Sequence, residues 1–391
     1  MSELTNIERN YNPFPIYRKM RQEHPVYFDP QRGSWNIFRY EDVDRVLSDY
    51  EVFSSHFRQQ VGTSSNQPFS ASLISSDPPR HRQLRSLVTQ AFTPRSVEQL
   101  APRIQTIVDE HLDQVMAAGE MDVVRDLSYP LPVIVIAELL GIPAEDRERF
   151  KHWSDIVVGA ADFGGNIDYQ AFNNQAVMEM SAYFMSMIEQ RRQQPGDDLI
   201  SGLLAAQIEG EHLSEIELLG FCALLLVAGN ETTTNLLVNA MYTFSEHPET
   251  WQRLRAEPAL LPDAIEEVLR YRSPVQAMFR FSTKEVTLQD QVIPANSPLI
   301  AWIGSANHDE AQFQQAERFI IDRSPNKHLA FGKGIHYCLG APLARLEAKL
   351  ALGSMLQRFA SLERKSQDGL QRPPSLIVYG LRSLPVRFMR A

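Results

Sequence analysis

The stretch Phe331-Gly-Lys-Gly-Ile-His-Tyr-Cys-Leu-Gly-Ala-Pro342 joins a glycine-rich loop, a cysteine and the start of a predicted helix. Its glycines, at 332, 334 and 340, allow the backbone to turn tightly and to approach a flat ligand. Cys338 stands three residues before the helix. Backbone N–H groups and the positive end of the helix dipole favour a thiolate at such a place. A thiolate surrounded by N–H groups is what a single-cysteine iron ligand requires.

Two other readings of this stretch are open from the residues alone. A dinucleotide-binding loop would need a third glycine where Tyr337 stands, and an acidic residue after an upstream strand. A cysteine nucleophile would use His336 as its base, although side chains two residues apart on a turn rarely align for that chemistry. The second cysteine, Cys222, lies in an apolar run and is interpreted as a small buried hydrophobic residue.

Composition excludes several classes of protein. The chain has 391 residues, with 38 Lys+Arg against 48 Asp+Glu, and its net charge of -10 argues against nucleic acid as a partner. Two cysteines are too few for a disulfide framework or for a four-cysteine metal site built from this chain alone. The N-terminus is polar and the apolar run 218–229 is short, so we expect no membrane anchor and a cytoplasmic location.

The predicted fold class is mainly α with small β-sheets, in a single domain over residues 1–391. Residues 1–75 form a mixed portion, with a helix at Phe14–Glu23 and strands at Val26–Phe28 and Ser34–Phe38. The remainder is mostly helical. The predicted elements are helices from Asp77 through Val88, at Ser96–Ala118, Leu131–Leu140, Ser214–Glu246, Pro262–Tyr271 and Ala341–Phe359, a small sheet within 279–303, and strand pieces within 376–388.

The longest predicted helix contains the segment Ala228-Gly-Asn-Glu-Thr-Thr233. Glycine, asparagine and threonine are poor helix formers, so the segment predicts a local break where the helix passes a planar ligand and admits oxygen and water. Glu231 and Thr232 supply a carboxylate and a hydroxyl for a proton relay. The alternative is a plain helix whose threonines bond back to the preceding turn.

Two charged pairs at helical spacing complete the pattern. Glu267 and Arg270 are three residues apart, and His81 and Arg85 are four apart, so each pair shares a helix face. Taken alone, such pairs are usually solvated surface groups that contribute little stability.

Together these features resemble the cytochrome P-450 family of haem-thiolate monooxygenases, in its soluble bacterial form, over nearly the whole chain. By this resemblance Cys338 is the haem-iron ligand of the loop Phe331-x-x-Gly334-x-x-x-Cys338-x-Gly340. Ala228-Gly229-x-Glu231-Thr232 is similar to the family's oxygen-activation motif, with Glu231 and Thr232 as the catalytic residues. Glu267-x-x-Arg270 is similar to its buried ion pair, with Arg318 as the third member. Two departures are Ala316, where the family usually has proline, and Ile320, where it often has aspartate.

The resemblance also implies a haem b cofactor and a set of residues that contact it. The propionate partners are implied to be basic side chains, because charge-assisted bonds suit two carboxylates. They are His81, Arg85, Arg280 and His336. The remaining implied contacts come from the loop and the long helix, namely Phe331, Gly332, Gly340, Ala228 and Gly229.

The implied activity is insertion of one oxygen atom from O2 into a C–H bond of a lipophilic substrate such as a fatty acid, terpenoid or steroid. With no flavin or nicotinamide domain left in the chain, electrons are expected from a separate ferredoxin or flavodoxin with its reductase. A basic docking patch is one hypothesis for its binding, with solvated surface charge as the alternative. Its members are Arg80, Arg82, Lys333, Arg345 and Lys349.

Several questions stay open at this point. A peroxide-driven peroxygenase, or a haem-based sensor or carrier that oxidises nothing, would keep Cys338. The substrate is expected to contact largely apolar segments, although plain core packing explains several of them equally well. Those segments are Val275–Phe279, the loop near Phe57–Leu73, and Gly380–Leu381, besides Ala228 and Gly229.

Overall fold

The computed structural model describes residues 12–56, 72–91, 93–150, 152–153, 175–207, 210–365, 370–372, 375 and 377–391. Helices predominate and the sheets are small, which confirms the predicted fold class. The α-helices are α1 Phe14–Glu23, α2 Tyr40–Ser48, α3 Arg80–Ala91, α4 Pro94–Gln99, α5 Ala101–Met116, α6 Pro130–Leu139, α7 Gln175–Gln193, α8 Leu199–Ala205, α9 Glu215–Glu246, α10 Pro248–Ala256, α11 Leu261–Tyr271, α12 Ile303–Ala306 and α13 Ala341–Arg358.

The strands are short and fall mostly in the first and last thirds of the chain. They are β1 Val26–Asp29, β2 Ser34–Ile37, β3 Phe53–Ser54, β4 Glu120–Asp122, β5 Met278–Ser282, β6 Val286–Leu288, β7 Gln291–Ile293, β8 Pro298–Ala301, β9 Phe359–Arg364 and β10 Pro385–Arg390. Single turns of 3-10 helix lie at Leu73–Ser75, Ala144–Asp146, Pro258–Leu260 and Gly334–His336, and a π-helical turn lies at Val124–Ser128.

The chain divides into two compact units. Unit 1 consists of Met1–Phe53, Ala101–Leu131 and Thr232–Ala391, and unit 2 consists of Ser54–Leu100 and Pro132–Glu231. The strands of the described residues form two larger sheets and a hairpin. The sheets have the strand orders β1-β2-β8-β5-β3 and β4-β10-β9, and the hairpin is β6-β7. A single domain over 1–391 stays a prediction.

In unit 1, the larger sheet supports the segment that carries Arg280. β2 runs parallel to β8, with Trp35 opposite Leu299, and β5 runs antiparallel to β8, with Arg280 opposite Leu299. Helix α2 covers this sheet because Val43, Val46 and Leu47 recur at helical spacing and are buried in the same core as Leu299. This core therefore fixes both β5 and α2 within unit 1.

The prediction of one helix over Ser96–Ala118 was wrong. Two helices occupy the region, α4 ending at Gln99 and α5 beginning at Ala101. Pro102 explains the break, since proline has no N–H to donate to the preceding turn and its ring clashes with the carbonyl four residues back. Helix α5 then packs beside α13 in unit 1, where Gln105 Nε2 donates to Ser354 Oγ at 2.8 Å.

Helix α9 is continuous from Glu215 to Glu246, including residues 228–233. The predicted local break was therefore wrong, since the poor helix formers are accommodated without interrupting the helix. Within the described residues, α9 is the one helix that is long and apolar enough to cross a membrane, and 53% of its most apolar window is buried in the protein. The core helix of a soluble protein passes the same test.

Candidate functional site

The cysteine loop in unit 1 has the geometry that its glycines predict. Gly332 and Gly334 adopt left-handed backbone angles, φ +71° and +66°, where a side chain is strained. The Cys338 N–H donates to the Phe331 carbonyl oxygen at 2.9 Å and closes the loop. Cys338 is half-buried, and helix α13 begins three residues further on with Gly340 as its cap.

Gly334 also makes a close backbone approach to helix α2. A Cβ at this position would lie 2.9 Å from Ser48 Cα and 3.1 Å from the Leu47 carbonyl oxygen, so a larger residue does not fit. Beside it, Lys333 Nζ lies 2.9 Å from Asp44 Oδ1 of the same helix. The loop is thus seated against α2, a contact that the sequence pattern did not indicate.

The second cysteine has a different environment. Cys222 lies in α9 within unit 2 and is fully buried, which confirms its interpretation as a core residue. Burial raises the pKa of its thiol to about 12, so it stays protonated at neutral pH. Of the two cysteines, only Cys338 combines exposure with a glycine loop.

The buried ion pair is present on α11 in unit 1. Arg270 Nε and Nη2 each lie 2.8 Å from a different oxygen of Glu267, and both side chains are fully buried. The third member is Arg323, whose Nε lies 3.0 Å from Glu267 Oε2. The prediction of Arg318 was wrong: its side chain donates to Gln315 Oε1, and only its carbonyl oxygen joins the cluster by accepting from Arg270 Nη2.

Asn307 connects this ion pair to the cysteine loop. Its carbonyl oxygen accepts from Arg270 Nη1 at 2.8 Å, and its side-chain Oδ1 accepts from the Leu329 N–H at 2.7 Å. Leu329 in turn accepts from the Gly332 N–H at 2.8 Å. Sequence reasoning missed Asn307 because no motif marks a residue whose role depends on contacts with two distant segments.

The remaining predicted haem contacts of unit 1 are Arg280 and His336. Arg280 lies on β5, is 7% exposed, and donates from Nη1 to the Phe279 carbonyl oxygen at 2.7 Å. His336 ends the 3-10 turn Gly334–His336 and is half-buried. Both therefore lie in unit 1 together with Cys338.

Unit 2 holds the other predicted contacts. His81 and Arg85 lie one turn apart on α3; His81 is buried, and its burial together with Arg85 holds the pKa of the imidazole below its usual range. Gly229 packs against Ile136, since a Cβ there would lie 2.9 Å from Ile136 Cδ1. The contact with Ile136 therefore disfavours a larger residue at position 229, independently of any ligand bound beside α9.

Two acids lie close in sequence or space to the threonines of α9. Burial raises the pKa of Glu231 to about 7, so this carboxyl exchanges protons near neutral pH. In unit 1, Glu347 of α13 is fully buried and hydrogen-bonded to Thr233, and burial raises its pKa to about 8. Sequence reasoning missed Glu347, because nothing in its neighbourhood distinguishes it from a surface residue of a charged helix.

Three of the five cations of the hypothetical docking patch are bound to carboxylates. Arg80 pairs with Glu217 in unit 2, while Lys333 pairs with Asp44 and Arg345 with Glu266 in unit 1. Arg82 and Lys349 are exposed. The basic surface is therefore weaker than a count of its cations suggests.

The apolar segments expected to contact substrate serve partly as core. Val275 and Met278 pack against the core of the larger sheet, and Leu381 is buried. Gly380 lies against the side chain of Asn235, which leaves no room for a Cβ. Residues 57–71 of the predicted substrate loop lie outside the described residues.

Comparison with known proteins gives one consistent family. The family profile Cytochrome P-450 matches residues 2–381. The cytochrome P-450 monooxygenase PikC of Streptomyces venezuelae is 40% identical over 389 residues, covering 97% of this chain and 92% of PikC. The cyclomarin C epoxidase CymV of Salinispora arenicola is 43% identical over 350 residues, covering 88% of this chain and 88% of CymV.

Solved structures agree with the sequence relatives. Substrate-free CYP109E1 from Bacillus megaterium matches with a TM-score of 0.91 at 43% identity, covering 97% of this chain and 100% of that one. Its complex with testosterone has a TM-score of 0.86 at 44% identity, covering 96% of this chain and 99% of that one. The family profile, the relatives and the fold confirm the family that the cysteine loop and the long helix predicted. The chain therefore belongs to the cytochrome P-450 family and is a haem-thiolate monooxygenase whose cofactor is a cysteine-ligated haem b.

Proposed function

We propose that this monooxygenase oxidises a lipophilic small molecule of the fatty-acid, terpenoid or steroid class, with Cys338 as the haem-iron ligand. The observation that carries the proposal is the loop closed by the hydrogen bond from Cys338 N–H to Phe331 O, with the half-buried Cys338 three residues before the start of α13. Cys222, by contrast, is a fully buried thiol of high pKa. The electrostatics of the loop favour a thiolate at position 338.

The cysteine loop of unit 1 has room for the cofactor that the family implies. Next to Cys338, a Cβ at Gly340 would meet no atom within 4 Å, so open space lies beside the loop for a flat group. By the family resemblance, the proposed haem contacts are Phe331, Gly332 and Gly340 of the loop and Ala228 and Gly229 of α9. Guanidinium and imidazole groups suit propionates, and those proposed are Arg280 and His336 of unit 1 and His81 and Arg85 of unit 2.

Glu231 and Thr232 are proposed as the catalytic residues that deliver protons. When bound, the haem supplies the chemistry that inserts one atom of O2 into a C–H bond. Glu231, with a pKa of about 7, takes protons from water and passes them on in its acid form. Thr232 follows Glu231 directly on α9, and its hydroxyl can both donate and accept a hydrogen bond. It would therefore pass the proton from Glu231 on toward the O2 substrate.

The substrate class is supported by relatives and by the apolar character of the candidate segments. CYP109E1 has been solved in complex with testosterone, and CymV is a cyclomarin C epoxidase. In this chain, Met278 and Phe279 of the candidate segments are apolar and only half-buried, so part of each residue is accessible to a ligand. Apolar lining with few polar groups binds a ligand mainly through the surface area that it buries.

The remaining parts of the proposal concern the setting of the enzyme. We place it in the cytoplasm as one haem-binding domain over residues 1–391, with no nucleic-acid partner. Electrons come from a separate ferredoxin or flavodoxin with its reductase. Exposed Arg82 and Lys349 are the cations best suited to an acidic partner, since Arg80, Lys333 and Arg345 already pair with carboxylates.

The ligand assignment is tested by cysteine substitution in the purified haem protein. Cys338→His is expected to abolish the thiolate-type absorption of the ferrous carbon monoxide complex. Cys222→Ala is the matched control and keeps it, because the Cys222 thiol is fully buried and its raised pKa keeps it protonated. Loss of that absorption in Cys222→Ala, or its retention in Cys338→His, would contradict the assignment.

The substrate class and the electron source are tested together by spectroscopy and turnover. Fatty acids, terpenoids, steroids and macrolides are added to the ferric protein, and a spin-state shift with one of the first three classes is expected. Turnover of that compound should require ferredoxin or flavodoxin, its reductase and O2. Turnover with peroxide alone would indicate a peroxygenase, and the lack of any spin shift or product would indicate a sensor or carrier.

A further inference from the structure

A polar cluster in unit 1 lies directly behind the cysteine loop. Arg345 of α13 donates to both oxygens of Glu266, from Nε at 2.7 Å and from Nη2 at 2.8 Å. His328 Nε2 lies 3.0 Å from the same carboxylate. The Ala330 N–H donates to His328 Nδ1 at 3.2 Å, which places the imidazole proton on Nε2, toward Glu266. Two segments are therefore tied to one carboxylate of α11.

The guanidinium of Arg345 also covers an aromatic ring of the loop. Its central carbon lies 4.4 Å from the centre of the Phe331 ring, within the range of a cation–π contact. Arg345 Nη1 lies 3.4 Å from Tyr337 Oη, at the other end of the loop. Phe331 and Cys338 are joined by the backbone hydrogen bond of 2.9 Å. Arg345 thus contacts the residues that begin the loop and precede its cysteine.

We propose that Arg345, oriented by Glu266, is a positioning residue that holds the Phe331 ring and thereby the Cys338 loop in its ligand-binding conformation. The inference rests on the proposed function only in taking Cys338 as the haem ligand. The sequence predicts Arg345 as a member of a basic docking patch. The inference instead assigns Arg345 a role in the conformation of the cysteine loop.

The chemistry of the pair favours this role over a plain surface ion pair. Two parallel bonds between a guanidinium and a carboxylate hold the guanidinium in a fixed orientation, and here its central carbon lies over the Phe331 ring. The Glu266 carboxylate stays charged over the whole physiological range of pH. Burial alone would raise its pKa, but bonds from Arg345 and His328 hold it at about 2. A lysine would keep the charge and lose both the fork and the flat contact surface.

The experiment uses the intact haem protein in its ferrous carbon monoxide form. The rate at which the thiolate-type absorption is lost is measured for every variant at one temperature, well below the lowest unfolding temperature of the set. All of the proteins are then folded during the measurement, and their rates are compared without a difference in temperature. For Arg345→Met we expect a rate about tenfold above that of the unsubstituted protein. Arg345→Lys should give an intermediate rate.

Two further variants separate positioning from charge and from helix stability. Arg358→Met is the matched control, because Arg358 lies on the same helix and pairs with Asp109 and Asp113 at 2.6 Å, at the end remote from the loop. It should leave the rate unchanged. The double variant Arg345→Met/Glu266→Gln removes both charges of the pair and should lose the absorption as fast as Arg345→Met.

The outcomes distinguish this inference from the proposed function. A rate for Arg345→Met within twofold of that of the unsubstituted protein would overturn the inference. A normal rate in the double variant would also overturn it, because the effect of Arg345→Met would then come from the unpaired charge of Glu266 and not from a lost contact with the loop. If the unsubstituted protein shows no thiolate-type absorption at all, the proposed role of Cys338 fails instead.

Discussion

Arg323 Nε lies 3.0 Å from Glu267 Oε2, although the two residues are 56 positions apart and Glu267 is fully buried. Arg270 donates to both oxygens of the same carboxylate, from Nε and from Nη2. Two guanidinium groups therefore share one buried anion, and the remaining donors are satisfied by carbonyl oxygens, among them those of Asn307 and Arg318. A buried charge of this kind is tolerated because every partner is in place.

Arg323→Met is expected to destabilise the protein strongly, and Arg318→Met only slightly. Removing one partner of a buried ion network typically costs about 3 kcal/mol or more, whereas an exposed side chain contributes about 0.5 kcal/mol at most. Arg318 is exposed, and its guanidinium contacts only a glutamine among the bonds described. Urea unfolding of the two purified variants measures the difference. Equal losses would show that the assignment of Arg323 is wrong.

Gly334→Ala is expected to weaken haem retention and to lower the unfolding temperature more than Gly33→Ala does. Both glycines have left-handed backbone angles, φ +66° and +61°, so alanine is strained by about 1 kcal/mol at either site. Only Gly334 also meets the backbone of Leu47 and Ser48. Thermal unfolding and haem absorbance are measured for both. If both variants lower haem retention and the unfolding temperature equally, the close contact of Gly334 with α2 does not contribute to stability.

The Glu347 carboxyl is expected to make the protein less stable as the pH rises from about 4.5 to about 8. Its pKa in the folded state is about 8, against an ordinary value of 4.5, because the buried site disfavours the charged form. The folded state therefore binds more protons in this range, and the stabilisation that the acid form supplies is lost as pH approaches the folded-state value.

Glu347→Gln removes this pH dependence while preserving size and a hydrogen-bonding group. The variant should gain stability relative to the unsubstituted protein between pH 5 and pH 8 in urea titrations at several pH values. Parallel stability profiles for the two proteins over that range would rule out a raised pKa at Glu347.

Glu231→Gln is expected to lower the turnover rate by about a hundredfold, the lower end of what general acid–base groups contribute. Because the acid form donates the proton and the pKa of Glu231 is about 7, turnover of the unsubstituted enzyme should fall as the pH rises through 7. The rate with a reconstituted electron donor is measured across that range. Glu231→Asp should retain much of the rate, and an undiminished rate in Glu231→Gln would exclude the relay.

Thr232→Ala is expected to keep haem and to consume electrons with less product and more peroxide, since the hydroxyl relays protons from Glu231. Thr232→Ser is the conservative variant and should restore much of the yield. Product, peroxide and electron-donor consumption are measured together. A full product yield per electron pair in Thr232→Ala would contradict its role.

Local chemistry was enough to predict many of the elements. Pro13 precedes the helix Phe14–Glu23, which has the predicted bounds, and the capping-box residue Ser214 stands one residue before α9. Helices α4 and α5 read as one helix in the sequence because apolar residues recur at helical spacing across Leu100, but Pro102 interrupts the backbone hydrogen bonds there. The break predicted within α9 did not appear, since burial on both sides of residues 228–233 supports a helix that propensity alone disfavours.

What the sequence alone determined was the chemistry of the cysteine loop, because glycines at 332 and 334 and the helix start after Cys338 act on neighbouring backbone atoms. Only the tertiary structure decided which arginine joins Glu267, why Arg345 lies over Phe331, and that Glu347 is buried. Left-handed backbone angles and helix ends depend on a few consecutive residues. Ion pairs, ring contacts and raised pKa values depend on which distant segments exclude water together, and spacing along one chain does not encode that.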